Sequence, residues 1–210
     1  QRIQSSLVPL REQPDSNVET RGATPAFNNI KRDLISWVES RVVNLRPRGD
    51  EKSAAAEINR ELRNAGLFCG ESAGLAKCPE WGEQGFLGDV SLEFREGGAF
   101  LLVKTAIGIQ QCGRDWSAYL YESMSDRWQR VWQTEENTYV AGQYWPQDIL
   151  SVILSPSDYS TGRRLPGNLV LTLGSFDWCT SNWHSVFYRV WHLESAQSRI
   201  LLDRREEAFF

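Results

Sequence analysis

The chain has 210 residues, and its 27 acidic and 23 basic side chains leave a formal net charge of −4. That balance offers no basic field for phosphates, which argues against nucleic acid and against acidic membrane surfaces as partners. The longest unbroken apolar run, Ala99–Val103, is far short of a bilayer span.

Nine Trp, nine Phe and six Tyr against a single Met favour strands, because flat rings cover a pleated surface well. The four cysteines are an even number, and Cys69, Cys78 and Cys112 stand in glycine-containing loop sequence that accommodates a bridge. Together with Gln1 in place of an initiating Met, as after removal of a secretory signal, this points to an oxidising, extracytoplasmic compartment, periplasmic or secreted.

Residues 1–23 are polar, carry Pro9 and Pro14 and show neither helical nor strand periodicity, which predicts an extended or disordered lead-in. Thr24 followed by Pro25 reads as a helix start. Phe27, Ile30, Leu34, Trp37 or Val38, Val42 and Leu45 then recur at three and four, giving one apolar stripe that Pro47 ends. Asp50 opens a second helix to Asn64 with Ala54, Ile58 and Leu62 as its stripe, and Gly66 stands where a left-handed cap is needed. Residues 24–66 are thus a helical hairpin, and the narrow stripe of its second member predicts packing at a sheet edge.

The remainder, 67–210, reads as a β-rich domain. Leu67–Gly88 is a glycine-rich loop that Cys69 and Cys78 are expected to close. Val90, Leu92 and Phe94 then alternate with polar residues, and Glu96-Gly97-Gly98 turns the chain. Four strand signals follow one another over about 89–136 and again over about 148–207, so the pattern is written twice. Aligned on Cys112-x3-Trp116 and Cys179-x3-Trp183, the copies lie about 60 residues apart at the first strand, 67 or 68 at the middle two and 71 or 72 at the last. Asn137–Gln147 would connect the copies, and Ser155–Asn168 would be an exposed loop inserted in the second.

The expected fold is therefore mainly β with an N-terminal α-helical hairpin, its two antiparallel four-stranded meanders packed as a sandwich or as propeller-like blades. Two blades cannot close a ring, since propellers use about four to eight. A Cys112–Cys179 bridge would favour the sandwich, because bridged Cα atoms stand only about 4.4–6.8 Å apart. Phe209 and Phe210 end the sequence without a polar tail, which suggests a piece of a longer propeller-like protein.

No catalytic set emerges. The loops around Asp115-Trp116 and Asn182-Trp183 each place a small polar side chain before a ring, a combination that suits a glycan or a protein partner. The same residues also suit core anchors and turn formers. His184 with Asp177 or Glu194 supplies a hydrolase alternative, but no serine lies in a nucleophile elbow. Cys69, Cys78, Cys179 and His184 have no zinc spacing, and the glycines at 66, 70 and 74 lack the lysine of a phosphate loop, so neither metal nor cofactor is expected. The sequence-level reading is an exported, non-enzymatic binding or interaction module with no membrane span and an open oligomeric state.

Overall fold

The computed structural model describes residues 2–12, 23–47, 49–70, 77–78, 85–110, 113–125, 127–134, 150–154, 167–177, 183–194 and 197–209. Three helices lead: α1 (Arg2–Glu12), α2 (Ala23–Val42) and α3 (Glu51–Asn64). Eight strands follow: β1 (Ser91–Arg95), β2 (Phe100–Gln110), β3 (Gly113–Met124), β4 (Arg127–Gln133), β5 (Leu150–Leu154), β6 (Asn168–Asp177), β7 (Trp183–Glu194) and β8 (Gln197–Phe209). They form two four-stranded antiparallel sheets, ordered β1-β2-β3-β4 and β5-β6-β7-β8. Among the described residues the strands close neither a barrel nor a propeller ring.

Helix α1 corrects the expectation of an extended lead-in. Ile3, Leu7 and Leu10 lie one and two turns apart on one face, Leu7 is fully buried, and the other two pack on the same core. Pro9 removes the amide that would bond one turn back and so masks the helix in the sequence. Tertiary docking outweighs that loss. Arg11 supplies much of it, donating to the Gly85 and Gly66 carbonyls at 2.8 and 3.2 Å while its guanidinium lies 3.9 Å from the centre of the Phe86 ring. Gly85 is at φ +73°, and a Cβ there would sit 2.8 Å from Arg11 Cγ, so the close approach requires glycine.

Helix α2 begins at Ala23, one residue before the expected Thr24 cap, and ends at Val42, before Leu45. Helix α3 starts as its sequence dictates: Asp50 accepts from the Ser53 amide at 2.9 Å. Its end follows the glycine rule. Gly66 takes φ +69°, and the Leu67 amide reaches back to the Leu62 carbonyl at 3.2 Å.

The helices cover one face of the first sheet. Phe27, Ile30, Leu34 and Val38 of α2, with Ile58 and Leu62 of α3, meet Leu92, Leu101, Val103, Ile107, Tyr119 and Tyr121 in one buried cluster. Polar pins fix this layer. Asn59 of α3 bonds both the amide and the carbonyl of Val90, at 2.8 and 2.9 Å, just ahead of the edge strand β1. Tyr121 donates to Glu39 at 2.8 Å, and the Trp128 indole donates to the Leu45 carbonyl at 2.6 Å. Cys69 and Cys78 are joined, with Cα atoms 4.9 Å apart, in the loop after α3.

The opposite face of the first sheet meets the second sheet. Phe100, Leu102, Ala118, Leu120 and Trp132 pack there with Val170, Trp191 and Leu193, and the Trp132 and Trp191 rings meet edge to face at 5.8 Å.

The two sheets share one hydrogen-bonding register. Ser91 pairs with Lys104 and Leu150 with Leu173; Phe100 pairs with Glu122 and Leu169 with His192; Met124 pairs with Arg127 and Glu194 with Gln197. Successive strands therefore correspond at separations of 59, 69, 70 and 70 residues. Each sheet also has a bulge at the same place, between Leu120 and Tyr121 and between Val190 and Trp191, where Val131 and Leu201 are the extra residues. This replaces the drifting offsets expected from the cysteine-tryptophan alignment. By the ladder, the counterpart of Trp116 is Val186, and Trp183 corresponds to Gly113. The two tryptophans are three positions out of register and so belong to opposite kinds of face.

Candidate functional site

Asp115 and Trp116 lie near the start of β3, beneath α2. Strand alternation turns Asp115 towards the helices with Ser117 and Tyr119, and its carboxylate meets the ammonium of Lys31. Both side chains are withdrawn from water, Asp115 completely and Lys31 to 6% exposure. A buried carboxylate with a cationic partner is not offered to a sugar hydroxyl. Trp116 points the other way and is half-buried, and its indole N–H finds no acceptor among the described residues.

Beside the ion pair opens a cleft of about 130 Å³, lined by Lys31, Arg32, Ile35, Ser117, Tyr119 and Arg130 among others. Burial raises the Tyr119 phenol above its ordinary range, with Lys31 opposing more weakly. Tyr119 is therefore a neutral donor at physiological pH and not a base. Arg130 stands 3.5 Å from Glu39, which also takes the Tyr121 hydroxyl. Burial, and then Glu39, raise the Tyr121 phenol strongly. Among the described residues, donors and cations dominate the cleft.

The remaining expected site residues are described only in part. Cys112, Cys179 and Asn182 lie outside the described residues, as do the connection expected over 137–147 and most of the loop over 155–168. Trp183 opens β7, paired with Phe209. For the hydrolase alternative, the ladder sets Asp177 opposite His184 across β6 and β7. Glu194 is at the far end of β7, ten residues and roughly 33 Å from His184, beyond any joint role. Among the described residues no cluster of three His, Cys, Asp or Glu is placed to hold a metal, and no helix is long and apolar enough to cross a membrane.

The other candidate is a surface. In the first sheet, Phe100, Leu102, Ala118, Leu120 and Trp132 are all at most 5% exposed because the second sheet covers them. Their register counterparts are Leu169, Leu171, Tyr188, Val190 and Leu202 on the outer face of the second sheet, and every one retains solvent access. Leu173 and Val186 extend the patch. At the bulge the contrast repeats: Val131 packs on the inter-sheet core, whereas Leu201 is 51% exposed. Sequence reasoning missed this surface because β6, as Leu169-Val170-Leu171-Thr172-Leu173, is apolar on both faces and does not show which face is covered. Compared with protein-family models, with curated proteins and with solved structures, the chain matches none.

Proposed function

We propose that this protein is an interaction module that engages another protein surface through the outer face of β6–β8. The reading treats the molecule as a two-sheet sandwich of duplicated meanders, capped by helices on the first sheet and open on the second. One observation carries it: register-equivalent residues that are buried beneath a sheet in the first meander form a contiguous, solvent-accessible apolar face in the second. Apolar patches of that kind mark binding surfaces in folded chains. A protein partner suits it better than a glycan, because the centre of the face is built of Leu, Val and Tyr with His192, Arg204 and Glu206 around it, and Asp115 is already paired. The Cys69–Cys78 bridge supports an extracytoplasmic setting.

The test is binding of the dye ANS to the native chain at low micromolar concentration. Native protein should enhance dye fluorescence, and Leu171→Glu or Leu201→Glu should reduce the enhancement while near-ultraviolet circular dichroism stays unchanged. A native protein that leaves the dye dark removes the accessible face and the reading with it.

A further inference from the structure

Lys31 and Asp115 form their ion pair under the cleft on the helix side of the first sheet. Burying two charges is costly, and an apolar pair of similar volume would serve the core at least as well. An ion pair kept in that place therefore points to work done at the cleft rather than to stability.

The cleft has a buried floor and an exposed rim. Lys31 of α2 and Ser117 and Tyr119 on the helix-facing side of β3 form the floor, each at most 5% exposed. Arg32 of α2 and Arg130 of the edge strand β4 stand at the rim, and both are exposed. The helix and the sheet thus bring three cations to one opening. Asp115 lies behind the ammonium, fully withdrawn from water, and Glu39, which does not line the cleft, stands 3.5 Å from Arg130. Three cations against these two carboxylates leave one positive charge over. Low-dielectric walls focus such a field towards the mouth.

The donors define the ligand. Two guanidinium groups match the paired oxygens of a carboxylate or a phosphate, which they hold by parallel N–H···O bonds. Arg32 donates to the side chain of Asn29 one turn back, and Arg130 lies beside Glu39. Polar contacts at such exposure are weak and exchange readily for a ligand oxygen. At the floor, Tyr119 and Ser117 share a side-chain hydrogen bond, and hydroxyl groups rotate to donate to an anion. At about 130 Å³, against roughly 30 Å³ for a water molecule in the liquid, the cleft admits a group of a few heavy atoms.

We propose that the cleft between α2 and β3–β4 binds a small oxyanion, a phosphate or carboxylate group clasped by Arg32 and Arg130 over the Lys31 ammonium. The site belongs to the first sheet and does not depend on the interaction face of β6–β8.

Sodium phosphate and sodium acetate, titrated separately into the full chain between about 0.1 and 20 mM against sodium chloride of equal ionic strength, test it. In proton–nitrogen NMR spectra, the Nε–H signals of Arg32 and Arg130 and the amides of Ser117 and Tyr119 should shift together and saturate, whereas chloride should not saturate them. Saturation by phosphate, by acetate or by both supports the site, and the tighter of the two names the group it takes. Arg32→Gln and Arg130→Gln, both at exposed positions that tolerate the change, should each weaken binding roughly tenfold. Arg130→Lys, which keeps the charge and loses the fork, should fall in between. Replacing the ion pair as a unit, Lys31→Met with Asp115→Leu, should also weaken binding while near-ultraviolet circular dichroism reports a folded chain. The proposal is overturned if neither anion saturates these signals beyond chloride. It is overturned equally by binding that survives Arg32→Gln and Arg130→Gln together, which would be an adventitious ion only.

Discussion

The two sheets are near-copies in hydrogen-bonding register and opposites in how they are held. The first is clamped on both sides, by helices through Asn59, Glu39, Lys31 and the Leu45 carbonyl and by the second sheet through Trp191. Among the described residues the second packs through Val170, Trp191 and Leu193 on one face, and the ion pair between Arg189 and Asp203, at 3.0 Å, is partly exposed and cross-strand. The same ladder thus serves two ends. Sheet geometry follows from strand pairing, but burial follows from what the neighbouring elements cover.

The largest expected effect breaks the clamp of the first sheet. Asp115→Leu leaves the Lys31 ammonium buried without its partner and should lower unfolding free energy by roughly 3–5 kcal/mol, whereas Lys31→Met with Asp115→Leu should recover most of it. Urea unfolding of the single and double variants checks this. Next come two leucines at equivalent positions. Leu102→Ala, 1% exposed between the sheets, should cost about 3 kcal/mol, and its counterpart Leu171→Ala, on the accessible face, about 1 kcal/mol or less. Equal losses in chemical denaturation at low protein concentration would mean that the outer face is buried in the monomer, and the contrast between the sheets would collapse.

Asn59→Ala should cost roughly 1–3 kcal/mol by leaving the buried Val90 amide and carbonyl unpaired, and hydrogen exchange should show faster opening at β1 than at β6. The smallest effect appears only at high pH. Because Tyr121 and Tyr119 have folded-state pKa values above the unfolded value near 10, the folded state holds their protons more tightly, and the stability this gives is complete below about pH 10. It is lost as pH rises towards the folded values. Tyr121→Phe should flatten that alkaline decline, as read from thermal midpoints between about pH 9 and 11, and an unchanged slope would dissociate the phenol from the effect.

Local signals in the sequence carried much of the fold. The stripe of α2, the Asp50 and Gly66 caps of α3, the alternation of β1 and the Cys69–Cys78 closure are each written within a few residues. What was not legible depends on distant partners. Pro9 hid α1 because the contacts that hold it, at Gly66 and Gly85, are remote in sequence. Asp115 stood out beside Trp116 as a small polar side chain before a ring; nothing near it announces Lys31, 84 positions earlier. The paired Cys-x3-Trp segments suggested an alignment that the backbone ladder does not follow, since a two-residue motif weighs little against a continuous register. The outer face was invisible for a related reason: in a strand apolar on both sides, hydropathy alone does not assign the side that meets water.

Arg11 also sets an order of assembly. Its hydrogen-bond acceptors lie at residues 66 and 85, and the Gly85 amide is itself held by the Gly108 carbonyl on β2. Helix α1 therefore waits for roughly a hundred further residues of chain, several seconds of synthesis, before its docking site exists. During that interval Ile3, Leu7 and Leu10 have no core to enter. Pulse-labelled hydrogen exchange on refolding chain should accordingly find the amides of α1 protected after those of β2 and β3; protection of α1 first would show that the helix docks elsewhere before it reaches its final place.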